Sequence, residues 1–117
     1  MHTADTLTAA LRVREDALEG ALGEYQEAID SRVSAELRYE MAKAKSGLLC
    51  DQTNDIKRKA WVMVQVSDEY ADYRIAEALE SAAKAAYFVA QTKAQNGVSL
   101  LALHRTEMQL AASPLRV

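Results

Sequence analysis

Proline occurs once in this 117-residue chain, at Pro114, and glycine only four times. Proline removes a backbone donor and clashes with the preceding helical turn, so a sequence without it up to residue 114 leaves helices free to run long. The residues that fill this stretch favour helix as well. Alanine holds 22 positions, and it loses no side-chain entropy in a helix. Aromatic residues number only seven, and strands would want more of these together with β-branched runs. The fold class that follows is all-α.

The first helix is expected over about residues 5–47, opening where Thr3 to Thr6 offer side-chain oxygens to unpaired backbone N–H groups. Its apolar positions run Leu7, Leu11, Leu18, Leu22, Tyr25, Ile29, Val33, Leu37, Met41, Ala44 and Leu48, which reads as one helical stripe. Gly20 and Gly23 lie among Ala17, Ala21 and Ala28 and read either as tolerated surface glycines or as a close helix approach, which those alanines also suit. A turn is expected at about 48–53, with Gly47 as helix C-cap and Thr53, Asn54 and Asp55 as the next start. The second helix then covers about 54–112 through Ile56, Ala60, Met63, Tyr70, Arg74, Ala78, Ala82, Ala85 and Val89 to Leu100, Leu103 and Leu110. Asn96-Gly97 is a turn signal inside it, and either the helix runs through or a short third helix begins near Ser99. The architecture expected is one domain, a long antiparallel helical hairpin of coiled-coil type.

Folding at Cys50 sets Leu37 opposite Met63, Tyr25 opposite Ile75 and Leu7 opposite Lys93. Helix one is used up there, which leaves Val98, Leu100, Leu101, Leu103, Met108 and Leu110 without cover. A two-helix hairpin also leaves each apolar stripe half exposed. The expectation is a homo-oligomer, a dimer or higher, packed as a helical bundle with those six residues at the interface.

Charge is uneven along the chain. Up to residue 36 eight acids (Asp5, Glu15, Asp16, Glu19, Glu24, Glu27, Asp30, Glu36) face three bases (Arg12, Arg14, Arg32). Around the turn the balance reverses: Arg38, Lys43 and Lys45 climb to it, and Lys57, Arg58 and Lys59 descend from it. These six read either as a solvated helix surface or as the candidate contact for phosphates or for a partner protein, with Trp61 or Tyr39 available to stack on a base and Trp61 also suited to the core. The net charge of −3 does not mark a strongly basic nucleic-acid protein as a whole.

No catalytic or metal-binding set emerges. His104 and Glu107 stand three apart but in the reverse of the Glu-x-x-His order of di-iron bundles, and His2 lies at the start of the chain. Glu24 with Glu27, and Glu69 with Asp72, are similar to the paired acidic motifs by which all-α nucleotide pyrophosphatases hold Mg²⁺. They are separated by more sequence than that family uses and lack its basic residues. Cys50 has neither a second cysteine for a disulfide nor a histidine placed by sequence to activate it. No cofactor is expected. Met1-His2-Thr3-Ala4-Asp5 lacks the basic and apolar regions of a signal peptide, and no apolar run is long enough to span a membrane. The expected location is cytoplasmic.

Three segments carry a resemblance. Leu37-Arg38-Tyr39-Glu40-Met41-Ala42-Lys43-Ala44-Lys45 has the form LRxExAKAK, Thr53 followed by Lys57-Arg58-Lys59-Ala60 is similar to TxxERKA, and Ser99 to Met108 has the form SLLxxxRxEM. Together they resemble small helical proteins of phages and prophages encoded among early genes for recombination and replication. The match covers about residues 33–112, with Ile56 standing where that pattern favours Glu and Asn96-Gly97 an unusual break. What the resemblance implies is a non-enzymatic accessory or scaffold role, exercised on a partner protein or single-stranded DNA in a host cytoplasm. The other readings are a structural or secreted helical-hairpin component that binds no nucleic acid, and a Mg-dependent pyrophosphatase. The secreted hairpin effectors of actinobacteria carry a Trp-x-Gly turn, whereas Ser46-Gly47-Leu48 stands at this one.

Overall fold

The computed structural model describes residues 4–112 and is all-α, with α1 at Ala4–Leu49, α2 at Asp55–Gln65 and α3 at Ser67–Ala112. Among the described residues no helix is long and apolar enough to cross a membrane. The helices start where the chemistry invites them. Asn54, one residue beyond the expected Thr53, is the cap of α2: its Oδ1 accepts from the backbone N–H groups of Ile56 at 2.9 Å and Lys57 at 3.2 Å. Helix α3 opens on Ser67 with Asp68 and Glu69 in its first turn, where carboxylates favour the positive end of the dipole. The break between α2 and α3 falls at Val66 (φ −106, ψ 18). Helical hydrogen bonds still bracket it, from Val66 N–H to Val62 at 3.0 Å and from Tyr70 N–H to Val66 at 2.9 Å. At Asn96-Gly97, by contrast, the helix runs straight through.

By internal contacts the chain divides into a middle unit, Glu24–Lys84, and a terminal unit that joins the residues up to 23 with those from 85 onward. Each is an antiparallel pairing of helical segments. In the middle unit the side chains withdrawn from solvent include, on α1, Tyr25, Ala28, Arg32, Ala35, Tyr39, Ala42 and Ser46, and on the returning segment Val62, Val66, Glu69, Tyr73, Ala76, Glu80 and Ala83, with Ile29, Glu36, Lys43, Trp61 and Glu77 partly covered at their flanks. Both series step alternately by three and four, which is the seam of a two-stranded coiled coil. Alanine at alternate seam positions lets the axes come close, since the separation follows the side chains at the contact. The core proper is Tyr39, Val62 and Val66, with Ala42, Trp61 and Tyr73 packed against it.

This seam is not the apolar stripe read from the sequence. From Tyr25 that stripe advances by fours through Ile29, Val33, Leu37 and Met41. Four residues turn about 40° more than one full helical turn, so it winds off the seam. Leu37 is 57% exposed, Met41 71% and Leu48 87%. The pairing register differs too. Arg32, which folding at Cys50 places opposite Asp68, bonds Glu80, and in the terminal unit Arg14 reaches the carbonyl of Lys93, the residue assigned to Leu7. Partners lie roughly two to three helical turns farther along than a tight fold at Cys50 gives.

Gly20 and Gly23 make no close approach, because a Cβ on either would meet nothing within 4 Å. The close approach is at Gly97, where a Cβ would lie 3.1 Å from Cδ of Arg14 and 3.2 Å from Cδ1 of Leu11. Gly47 is not a cap either: α1 continues to Leu49 without a positive φ among the described residues. The Arg58 guanidinium donates to the Gly47 carbonyl, supplying the partner that a left-handed cap would otherwise provide.

Candidate functional site

The turn end of the middle unit carries a cleft between α1 and α2, lined by Tyr39, Lys43, Asp55, Arg58, Lys59, Val62 and Met63. Helical spacing places Asp55, Lys59 and Val62 on neighbouring turns of α2, while Tyr39 and Lys43 stand one turn apart on α1. The floor is apolar and the rim cationic. Tyr39 is held firmly: its ring lies 5.7 Å from Tyr73, nearly parallel, and 5.4 Å from Tyr70, tilted, and its hydroxyl donates to Sδ of Met63 at 3.6 Å. At 7% exposure Tyr39 is not free to stack on a base. Trp61 is half-buried against the core cluster, as its neighbours Val62 and Met63 suggested.

The six basic residues singled out above do not form one patch. Lys43, Arg58 and Lys59 share the cleft. Arg58 is engaged at Gly47. Lys43 lies 4.8 Å over the Tyr39 ring and donates to Glu40 at 3.4 Å. Lys45 and Lys57 are exposed. Arg38 belongs elsewhere, to a groove on the middle unit lined by Glu24, Glu27, Ala28, Ser31, Ala35, Asp72, Ile75, Ala76 and Leu79. Arg38 thus lines a different groove and does not extend the basic rim.

Among the described residues, Arg32 and Tyr73 hold their protons more tightly than usual. Hydrogen bonds to Glu80 first and Glu36 second raise the Arg32 guanidinium above its ordinary value. Desolvation pushes the Tyr73 phenol up, assisted by the charges of Glu36 and Glu77. Both lie in the seam, where they stabilise the helix pair. Among the described residues no three acidic, histidine or cysteine side chains converge to hold a metal ion. Glu24, Glu27 and Asp72 line one groove without forming such a set, and Glu69 stands apart in the seam with its Oε2 buried and unpartnered. Cys50 is a half-exposed free thiol.

The six residues assigned to an oligomer interface also divide. Leu101 is buried within the terminal unit at 7% exposure, while Val98, Leu100, Leu103, Met108 and Leu110 are exposed. Leu100 and Leu103 line a groove with Leu7, Ala10, Arg14 and His104, so the first turns of α1 lie beside them and the premise that helix one is exhausted before this segment does not hold. Sequence reading missed the Arg32–Glu80 pair and the Tyr39–Tyr73 stack. The signal for both was the seven-residue recurrence of Ala21, Ala28, Ala35, Ala42 and of Ala76, Ala83, Ala90, Gly97, which marks the seam directly. No protein-family model, curated protein or solved structure matches this chain.

Proposed function

We propose that this chain is a non-enzymatic, self-associating helical scaffold with an accessory role in phage or prophage DNA metabolism, its cationic cleft at the turn of α1 and α2 taking single-stranded DNA or an acidic partner segment. One observation carries the self-association. Twenty large apolar side chains are exposed among the described residues, against seven buried apolar ones, of which three are alanine. The seam between paired helices takes alanine, tyrosine, an ion pair and a few larger apolar residues such as Val62, Val66 and Leu101, and leaves most of the leucine, isoleucine, valine and methionine exposed. A chain arranged this way lowers its free energy by covering those side chains with another copy or partner. For the cleft, the support is the apolar floor beneath Lys43 and Lys59, a combination that suits a phosphate-bearing strand with an exposed base.

Light scattering of the purified chain, alone and with a labelled single-stranded oligonucleotide at low salt, tests both parts. The expected result is a discrete oligomer whose mass rises with DNA and falls back as salt increases. An oligomer indifferent to DNA would retain the scaffold and remove the nucleic acid. A monomer at every concentration would overturn the scaffold itself.

A further inference from the structure

We propose that a second copy of this chain docks on the groove of the middle unit that holds Glu24, Ser31, Arg38, Ile75 and Leu79, about a two-fold axis at Ser31 that sets Arg38 of each copy against Glu24 of the other. The inference rests on the self-association proposed above and specifies its face and register. Glu24, Ser31 and Arg38 follow one another at seven-residue intervals on one flank of α1, so two helical turns, about 10 Å, separate each from the next. Within one copy Glu24 and Arg38 are therefore about 20 Å apart along the axis and cannot pair. Both are exposed, and neither has an ion pair among the described residues. A two-fold axis perpendicular to α1 at Ser31 exchanges the positions seven before and seven after it. Arg38 of each copy then meets Glu24 of the other, twice, as an isologous contact requires.

The apolar part of the groove lies between these charges. Ile75 is 59% exposed and Leu79 61%, and Ala28 and Ala35 on the facing helix leave a shallow trough beside them. Burying these side chains supplies affinity, while the charge pairs fix direction and register. Glu27 flanks Glu24, so the incoming guanidinium meets two carboxylates; Asp72 is the remaining carboxylate of the groove.

The test uses the full chain and four samples: wild type, Arg38→Glu, Glu24→Arg, and an equimolar mixture of the two variants, each followed by sedimentation equilibrium with helical circular dichroism as the control for folding. Each variant alone presents like charges at both ends of the groove and is expected to associate at least roughly tenfold more weakly than wild type. The mixture brings carboxylates on one copy against guanidinium groups on the other at both ends, so association returns to within about threefold of wild type. A wild type that is oligomeric while both variants assemble unchanged would overturn this face and leave the scaffold reading standing. Single variants that weaken but do not recover on mixing would overturn the two-fold register. A monomeric wild type would overturn both readings together.

Discussion

Arg32 donates through Nε to Glu80 at 2.8 Å across the seam of the middle unit, while its Nη1 donates to Glu36 one turn along the same helix at 2.7 Å. A long charged pair at a seam position whose neighbours on α1 are Ala28 and Ala35 sets where along its length one helix meets the other. Alanines slide past one another with little change in energy, and an ion pair does not. The prediction is that Arg32→Met and Glu80→Met each lower the thermal midpoint, and that the double variant loses less than the two singles added. Additivity in that cycle would remove the pair's role in register.

The glycines offer a contrast within one helix type. Gly20 and Gly23 have open space where a side chain would stand, so replacing either by alanine relieves the backbone entropy cost of glycine in a helix. We expect Gly20→Ala and Gly23→Ala each to stabilise by about 0.5–1 kcal/mol in denaturant unfolding. At Gly97 a Cβ meets Arg14 and Leu11 at 3.1–3.2 Å. The same gain is then offset by displacement of those side chains, leaving Gly97→Ala near neutral, and Gly97→Leu destabilises by about 1–3 kcal/mol. Equal gains at all three sites would contradict the close approach.

The difference between what the sequence told and what it concealed has one physical source. Helix content and the turn between Leu49 and Asp55 follow from local chemistry: scarce proline, a capping Asn54, good helix formers throughout. At Asn96-Gly97 local chemistry offered a turn as well, and the helix runs through. The seam does not follow from local chemistry. Its alanines and tyrosines carry little hydrophobic weight individually, so the eye follows Val33, Leu37 and Met41, which stand exposed. Hydrophobicity marks a seam only when the seam is where the large apolar side chains go. Here periodicity alone marks it, and the heptad of alanines was the better guide. The break at Val66 had a signal as well, Ser67-Asp68-Glu69, a capping residue followed by acids within an otherwise helical run.

Ala35 tests how tight the seam is. It is 2% exposed, between Arg32 and Tyr39. Leucine is an adequate helix former with more apolar surface, so propensity and hydrophobicity both forecast a neutral or favourable change. Packing forecasts the opposite: the added methylenes force the helices apart, and Ala35→Leu is expected to cost about 1–3 kcal/mol. Chemical denaturation of this variant beside Ala44→Leu, at an exposed position of the same helix, separates the two forecasts.

Tyr73 gives the middle unit an alkaline limit. Its phenol is held above its ordinary value by desolvation and by the nearby carboxylates, so the folded state keeps a proton that the unfolded chain releases. The contribution is fully present below the unfolded tyrosine value of about 10 and is lost as pH rises through the higher folded value. Thermal melts are therefore expected to fall in midpoint above about pH 10, and Tyr73→Phe to fall less steeply over the same range. Parallel slopes for the two proteins would assign the alkaline loss to other groups.

Arg58 and Lys59 are adjacent, both basic and both at the cleft, yet the structure gives them different work. Arg58 donates to the carbonyl of Gly47 near the end of α1, tying the two sides of the turn and satisfying an acceptor that the helix end leaves open. Lys59 is exposed at the rim. Arg58→Ala is thus expected to lower stability by about 1 kcal/mol and to loosen the turn, which amide exchange at Leu48 and Leu49 would register as faster opening. Lys59→Ala should leave stability within about 0.5 kcal/mol of wild type. Oligonucleotide affinity sorts the roles further. If the cleft binds phosphate, Lys59→Ala reduces both affinity and its dependence on salt, by about one counterion's worth in the slope, with no change in amide exchange. If only Arg58→Ala affects binding, and does so in step with the loss of protection at the turn, the basic charge there serves the fold and not a ligand.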